Sequence, residues 1–254
     1  MPHIKISAII VTYNEEANIE RCLASLVPVA DEIIVLDSFS TDKTEAICRK
    51  YNVHFMHRAW AGYSESKNFV NQQAQYDYLL SIDADEALSP ALSEAILSVK
   101  DDPEYDGYYV NRKTNYCGQW IKHGGWYPDR KLRLWRRGKG KWVGRIHEKI
   151  IMLPDARIGS LSGDLLHYSF NSIAEHIRTA NNFSTIAAED AVKNGHKTVF
   201  FIHIILNPVF TFFRKFLLQF GFLDGYHGFV ISTISAFANF LKYTKIRELT
   251  KNAS

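Results

Sequence analysis

Asp83 and Asp85 stand one residue apart at the end of the apolar run Tyr78-Leu79-Leu80-Ser81-Ile82. Two carboxylates where a buried strand runs out supply part of a divalent-cation site. Magnesium and manganese take oxygen ligands, and magnesium is usually held by one or two carboxylates while water and substrate phosphate complete its shell. Asp-x-Asp at a strand end therefore points to a metal that carries a phosphorylated ligand. A second concentration of chemistry lies further on. Between Arg112 and Lys149 stand twelve Lys or Arg and only two acids, Asp129 and Glu148, in a chain whose net charge is +3. Such a local field favours an anionic partner: a pyrophosphate, a nucleic acid or an acidic membrane surface.

The elements that must position these groups alternate through the first half. Lys5 to Val11 reads as a continuous apolar strand, and Glu15 to Val27 as a helix with Ile19, Leu23 and Leu26 on one face, stopped by Pro28. Strands follow at Glu32–Leu36, Val53–His57 and Tyr78–Ile82. Helices are expected over Thr41–Tyr51, capped by Ser40 or Thr41, and over Glu65–Ala74 and Pro90–Val99. Alternation of this kind predicts an α/β fold, Rossmann-like, with a mostly parallel sheet flanked by helices. In such sheets ligands sit beyond the carboxyl ends of the strands. Thr12-Tyr13-Asn14-Glu15 ends the first strand, Asp37-Ser38 the second and Asp83-Ala84-Asp85 the fourth. Three polar clusters on one sheet edge predict a nucleotide-phosphate site.

From Asp106 to Ile151 the alternation gives way to extended segments and loops rich in Gly, Trp, Tyr and Arg, suited to a lid or acceptor cleft. From Val199 to Leu241 the chain is aromatic and aliphatic. Its uncharged runs, Val199–Phe213 and Tyr226–Leu241, are shorter than the roughly 20 residues of a membrane span. Pro208 is expected to break the region, and Arg214 and Lys215 interrupt it. This pattern suits amphipathic helices lying on a membrane with basic residues toward anionic head groups, and it also allows a re-entrant hairpin. Three widely spaced cysteines form neither a disulfide framework nor a metal motif, which fits a reducing cytosol. Met1 to Val11 lacks the pattern of a signal peptide.

The ordered set Ile-Ile-Val-Thr-Tyr-Asn-Glu-Glu-Ala-Asn-Ile near the start, Asp37-Ser38-Phe39-Ser40-Thr41-Asp42-Lys43-Thr44, and Ser81-Ile82-Asp83-Ala84-Asp85-Glu86 resembles glycosyltransferase family 2, and within it the bacterial lipopolysaccharide-core glucosyltransferase group. The resemblance implies a GT-A fold. Its nucleotide-sugar half would span 1–105 and its acceptor-side half 106–170, with a helical, membrane-associating C-terminal extension over 171–254. It implies an inverting transfer of a hexose from a UDP-sugar, UDP-glucose first among them, assisted by Mg2+ or Mn2+. The acceptor would be a lipid-linked or lipopolysaccharide-core sugar, at the inner face of the cell membrane in the cytoplasm. Carried over by position, Thr12, Tyr13 and Glu15 would line the base and ribose pocket, Asp37 would bind uracil or ribose, and Lys67 would lie by the nucleotide. Asp83 would meet the ribose or the metal, and Asp85 would be the main metal ligand.

Inversion needs a base opposite the leaving group, and Glu148 in Gly144-Arg145-Ile146-His147-Glu148 is the candidate, with Asp129 as its rival. His147 would orient Glu148. His167 would complete the metal shell or touch the diphosphate. Arg130, Arg133 and Arg136 would clamp phosphates, Arg being suited to bidentate contacts. Trp126, Trp135 and Trp142 are candidates for stacking on sugar rings.

Other classes fit poorly. His147-Glu148-Lys149-Ile150-Ile151 lacks the second histidine of a zinc peptidase, and neither Gly-x-Gly-x-x-Gly nor a Walker loop follows the first strand. Acidic strand ends would repel a nucleic-acid backbone. The remaining alternative is a non-catalytic membrane-surface or carbohydrate-binding protein on the same fold, which has no need of Asp83, Asp85 and Glu148 together.

Overall fold

The first strand, β1 (Ile6–Thr12, ISAIIVT), is buried along nearly its whole length, as a β-branched run covered on both faces should be. It lies at the centre of a parallel group with β2 (Glu32–Asp37), β3 (His54–His57) and β4 (Tyr78–Ser81) in the order β3-β2-β1-β4. Thr12 pairs with Asp37 and Ile9 with Ser81, so the polar residues after β1, β2 and β4 emerge at one edge. These facts come from a computed structural model, which describes residues 3–144, 148–196 and 198–252.

The helices of this half are α1 (Ile19–Leu26), α2 (Thr44–Cys48), α3 (Tyr63–Gln73) and α4 (Pro90–Asp101). α1 buries Ile19, Cys22, Leu23 and Leu26, one helical face. It starts later than its periodicity suggests. The Glu15 and Glu16 amides donate to Thr44 Oγ1 and Asp42 Oδ2, and the Lys43 amide to Glu16 Oε2, so these residues are tied to the loop before α2. α2 is likewise shortened. Asp42 accepts from the Thr44 amide and hydroxyl, while Ser40, an expected cap, is bound to Asp37.

The extended segments expected after Asp106 are strands: β6 (Gly107–Tyr116), β7 (Gln119–Trp120), β8 (Asp129–Arg136), β9 (Gly140–Val143) and β10 (Lys149–Met152), followed by β11 (Ile158–Phe170). With β5 (Glu86–Leu88) they extend the sheet as β4-β8-β6-β11-β5, while β9 and β10 form a separate antiparallel pair. β4–β8, β6–β8 and β5–β11 are antiparallel, so the sheet is mixed, its parallel half being the part with helical crossovers.

Residues 1–112 and 129–168 make one compact unit, and 113–128 with 169–254 a second. In the second, α5 (Ile173–Lys193) and α6 (Asn207–Phe213) pack on α7 (Gly225–Asn252). Pro208 does not break the chain here. The turns on either side, Phe200–Leu206 and Arg214–Leu218, are π-helical, and Leu206 and Asn207 keep helical dihedrals (φ −72° and −62°). Helix therefore runs for 19 residues, Phe200–Leu218, long and apolar enough by composition to cross a membrane, with 11% of it buried.

Candidate active site

Asp83 follows β4 and is held by two cations. Its Oδ1 lies 2.7 Å from Lys67 Nζ and its Oδ2 2.8 Å from Arg133 Nη2. Burial raises the pKa of this carboxyl, but Arg133 and Lys67 outweigh that effect and hold it well below the usual carboxylate range. Arg133 also reaches the Glu86 carboxylate at 2.7 Å, and Glu86 in turn lies 3.4 Å from Arg112, which binds Asp129 at 2.7 Å. Arg133 and Glu86 are 3% and 1% exposed. Two of the twelve cations counted in the middle segment, Arg112 and Arg133, thus neutralise acids of the Asp83–Glu86 turn. Arg133, expected to clamp phosphate, is buried between two carboxylates instead. Arg130 is exposed, bonded to Ser160 and set over the Tyr109 ring, and Arg136 is exposed.

The segment Ser64-Glu65-Ser66-Lys67-Asn68 brings Glu148 to this cluster. The Asn68 side-chain amide pairs with both backbone groups of Trp142 on β9, at 2.9 and 3.0 Å, and Ser64 Oγ donates to the Gly144 carbonyl. α3 thereby fixes the β9–β10 pair, and Glu148, just before β10, comes within 3.1 Å of Lys67 Nζ. Lys67, 3% exposed, also lies 4.4 Å from the Trp142 ring centroid. His147 lies outside the described residues, and so does its expected contact with Glu148. Asp129, the rival base, is paired with Arg112 and Lys131. Burial pushes its pKa up, but the two cations more than reverse this and keep it a weak base.

Asp85 faces a different neighbour. β5 pairs antiparallel with β11 so that Glu86 opposes His167, and the Tyr168 amide donates to the Asp85 carbonyl. Asp85 Oδ2 is then 3.1 Å from His167 Nε2, and His167 Nδ1 is buried without a partner. A carboxylate and an imidazole side by side suit a divalent cation, which these two residues would hold. Among the described residues no group of three or more His, Cys, Asp or Glu is gathered to hold a metal. With Asp83 already bound by Lys67 and Arg133, Asp85 and His167 are the side chains left for one.

At the ends of β1 and β2, Thr12 is 3% exposed and its hydroxyl has no partner, whereas Tyr13 is 57% exposed. Glu15 accepts from Asn18. Asp37 is fully buried, bonded to Ser40 and 3.3 Å from His57, and so it organises its own loop. Phe39 did not stand out in the sequence. It is 57% exposed at φ +61°, a conformation rare for a bulky side chain, and its ring stacks on His57 with centroids 5.3 Å apart. Buried Glu86 and half-buried Arg112, the links of the charge chain, were also silent, because an ion pair leaves no periodic trace.

The tryptophans go mostly to packing. Trp135 and Trp142 meet edge to face at 6.1 Å inside a core cluster, 0% and 5% exposed, and so are not stacking surfaces for a sugar. Trp126 packs with Tyr116 and Phe170 in the second unit.

The model of the family "Glycosyl transferase family 2" matches residues 7–156. An uncharacterised glycosyltransferase of Rickettsia bellii is 34% identical over 258 residues, covering 97% of this chain and 87% of that one. The lipopolysaccharide core biosynthesis glycosyltransferase LpsC of Rhizobium meliloti is 33% identical over 262 residues, covering 97% and 93%. Among solved structures, S. aureus TarS 1–349 in complex with UDP-GlcNAc aligns over 99% of this chain and 93% of that one, at 18% identity and a TM-score of 0.49.

Proposed function

The chain belongs to glycosyl transferase family 2, has a GT-A architecture and is a glycosyltransferase, and we propose that it moves a hexose from a UDP-sugar, UDP-glucose first, to a lipid-linked or lipopolysaccharide-core sugar with inversion. The observation that carries this reading is Lys67, whose ammonium joins Asp83 to Glu148 at 2.7 and 3.1 Å. It sets an acid able to take a proton beside the acids able to serve the donor.

In this reading Glu148 accepts the proton of the acceptor hydroxyl as that oxygen attacks the anomeric carbon, while the nucleotide diphosphate leaves on the opposite side. A positioned carboxylate contributes roughly 10²- to 10⁴-fold in such a step. Lys67, its ammonium over the Trp142 ring, holds the carboxylate in place. Asp85 and His167 would hold Mg2+ or Mn2+, which when bound neutralises charge on the diphosphate. Asp83, fixed by Lys67 and Arg133, is set to accept from a ribose hydroxyl. Tyr13 and Glu15 flank the nucleoside side, the buried Thr12 and Asp37 support the loops behind it, and Phe39 offers a flat face to the base. Arg130, exposed towards the Asp129 end of β8, suits an acceptor phosphate, whereas Arg136 pairs with Tyr78 at the start of β4, on the sheet edge away from Asp83 and Asp85.

We place the reaction at a membrane surface, with residues 1–105, 106–170 and 171–254 serving donor, acceptor and membrane. Support comes from the Phe200–Leu218 helix, where Phe201, Phe210 and Leu218 are 63%, 59% and 69% exposed. Large exposed apolar patches mark interaction surfaces.

The test is donor binding by calorimetry. UDP-glucose, UDP-galactose and UDP-N-acetylglucosamine are titrated with Mn2+ and then with EDTA. Metal-dependent binding of one of them, lost in Asp85→Asn, is the expected result. If neither a UDP-sugar nor free UDP binds with metal present, the donor assignment is wrong.

A further inference from the structure

The second unit holds an open groove of about 550 Å³ between the Phe200–Leu218 helix and α7, lined by Ile205, Pro208, Phe212, Phe229, Ala236 and Phe240 among others. Its size is that of a ligand site. Its chemistry is unusual for one, since such sites carry a few polar groups that orient the ligand. Thr233 has the one hydroxyl in the wall, and that hydroxyl donates to the Phe229 carbonyl at 2.9 Å. A sugar, a nucleotide or an extended peptide would leave its own polar groups unpaired against these walls. A hydrocarbon chain would not.

The two walls meet at an aromatic floor. Phe212 meets Phe229 edge to face with centroids 5.7 Å apart and stacks on Phe216 at 5.4 Å, so the aromatic floor is braced. Charge names the rest of the occupant. Arg214 is exposed directly after Phe213, which lines the groove. Over residues 198–252 there are six Lys or Arg against two acids. Lys215 is bound to the Gly124 carbonyl and Lys245 to α5, so it is the exposed Arg214 at the groove that favours an anionic head group.

We propose that the groove takes one hydrocarbon chain of an anionic membrane lipid, its head group resting against Arg214. The inference deepens the membrane half of the proposed function, and its test needs no transfer activity. The full chain is titrated calorimetrically with dioctanoyl-phosphatidylglycerol below its micelle concentration, and is separately sedimented with phosphatidylcholine–phosphatidylglycerol vesicles. Wild-type protein binds the monomeric lipid saturably. Ala236→Trp, which fills the groove, weakens that binding about tenfold or more. Arg214→Gln weakens it about fivefold and lowers its salt dependence. Ala236→Leu repeats the loss in smaller measure should the larger side chain disturb the fold.

Unchanged binding in both Ala236 variants overturns the proposal. So does vesicle sedimentation without binding of monomeric lipid, which would leave the membrane reading intact. Loss of both lipid binding and sedimentation removes the membrane reading as well. A concentration-dependent dimer abolished by Ala236→Trp would assign the groove to a second copy and sink the lipid.

Discussion

Lys67 Nζ and the Glu148 carboxylate meet at 3.1 Å across 81 positions of sequence, and the same ammonium binds Asp83 at 2.7 Å. A buried ammonium between two carboxylates fixes both in place, because each would be costly to leave unpaired.

If Glu148 is the base, Glu148→Gln keeps its shape and a hydrogen-bond acceptor for Lys67 but cannot take a proton. Transfer then falls about 10²- to 10⁴-fold while the donor dissociation constant stays put. Lys67→Met also lowers the rate. Because Lys67 acts through Glu148, the losses do not multiply in the double variant. Single-turnover rates and donor titrations on the three variants check this. Wild-type turnover in Glu148→Gln would remove the assignment.

Phe39 gives a prediction in which stability and affinity part company. A non-glycine residue at φ +61° costs about 1–2 kcal/mol, and glycine loses about 0.5–1 kcal/mol through its freer unfolded chain. Phe39→Gly should therefore melt within a few degrees of wild type or above it. Base–aromatic stacking is worth about 1–3 kcal/mol, so UDP affinity should fall about 5- to 150-fold. Thermal melts and calorimetry read the two effects separately. Equal UDP affinity in Phe39→Gly would show that the ring does not serve the base.

What the sequence made legible was local. β1, β2 and β4 show as apolar runs with polar ends, and the Asp83–Glu86 turn shows by composition. The parallel register then sets Thr12 beside Asp37 with no further information. What stayed hidden was long-range. Arg133 finds Asp83 across 50 positions and His167 finds Asp85 across 82, through antiparallel pairings whose register only the folded sheet defines. A run of arginines therefore read as a phosphate clamp when one of them is an internal counter-ion. Pro208 misled for a related reason, since propensity does not foresee the π-helical turn that lets a helix run through it.

His176 on α5 makes stability depend on acid. Burial lowers its pKa from about 6.5 to about 4, and Tyr116 Oη lies 3.0 Å from its Nδ1. The unfolded chain takes up this proton at higher pH than the folded one. The neutral ring's contribution is thus complete above about pH 6.5 and is lost progressively as pH falls toward about 4. At about 1.36 kcal/mol per unit, wild type loses about 2–3 kcal/mol between pH 7 and 4.5 from this group. His176→Gln should lack that share. Urea unfolding at both pH values measures it, and an equal loss in the variant would clear His176 of the effect.

Gly163 ties stability to the site. It sits in β11 at φ +87°, and a Cβ there would lie 2.3 Å from the Leu92 amide nitrogen and 2.7 Å from the Ala91 carbonyl carbon. Both are backbone atoms of α4, which is docked at this point. Ser89 Oγ accepts from the Leu92 and Asp164 amides, and the Ser89 amide donates to the Asp164 carbonyl. Gly163→Ala therefore meets both a backbone clash, typically about 1–3 kcal/mol, and a left-handed penalty of about 1–2 kcal/mol. Ser89→Ala loses the cap alone, about 1 kcal/mol. The alanine at 163 has a second consequence, because Leu165–His167 of the same strand pair with β5 and set His167 beside Asp85. Gly163→Ala should unfold at distinctly lower urea than Ser89→Ala and should weaken Mn2+-dependent UDP binding at temperatures where it is still folded. A wild-type urea midpoint would mean that α4 gives way at little cost. Wild-type Mn2+-dependent UDP affinity in a destabilised protein would mean that the β5–β11 pairing holds Asp85 and His167 together without Gly163.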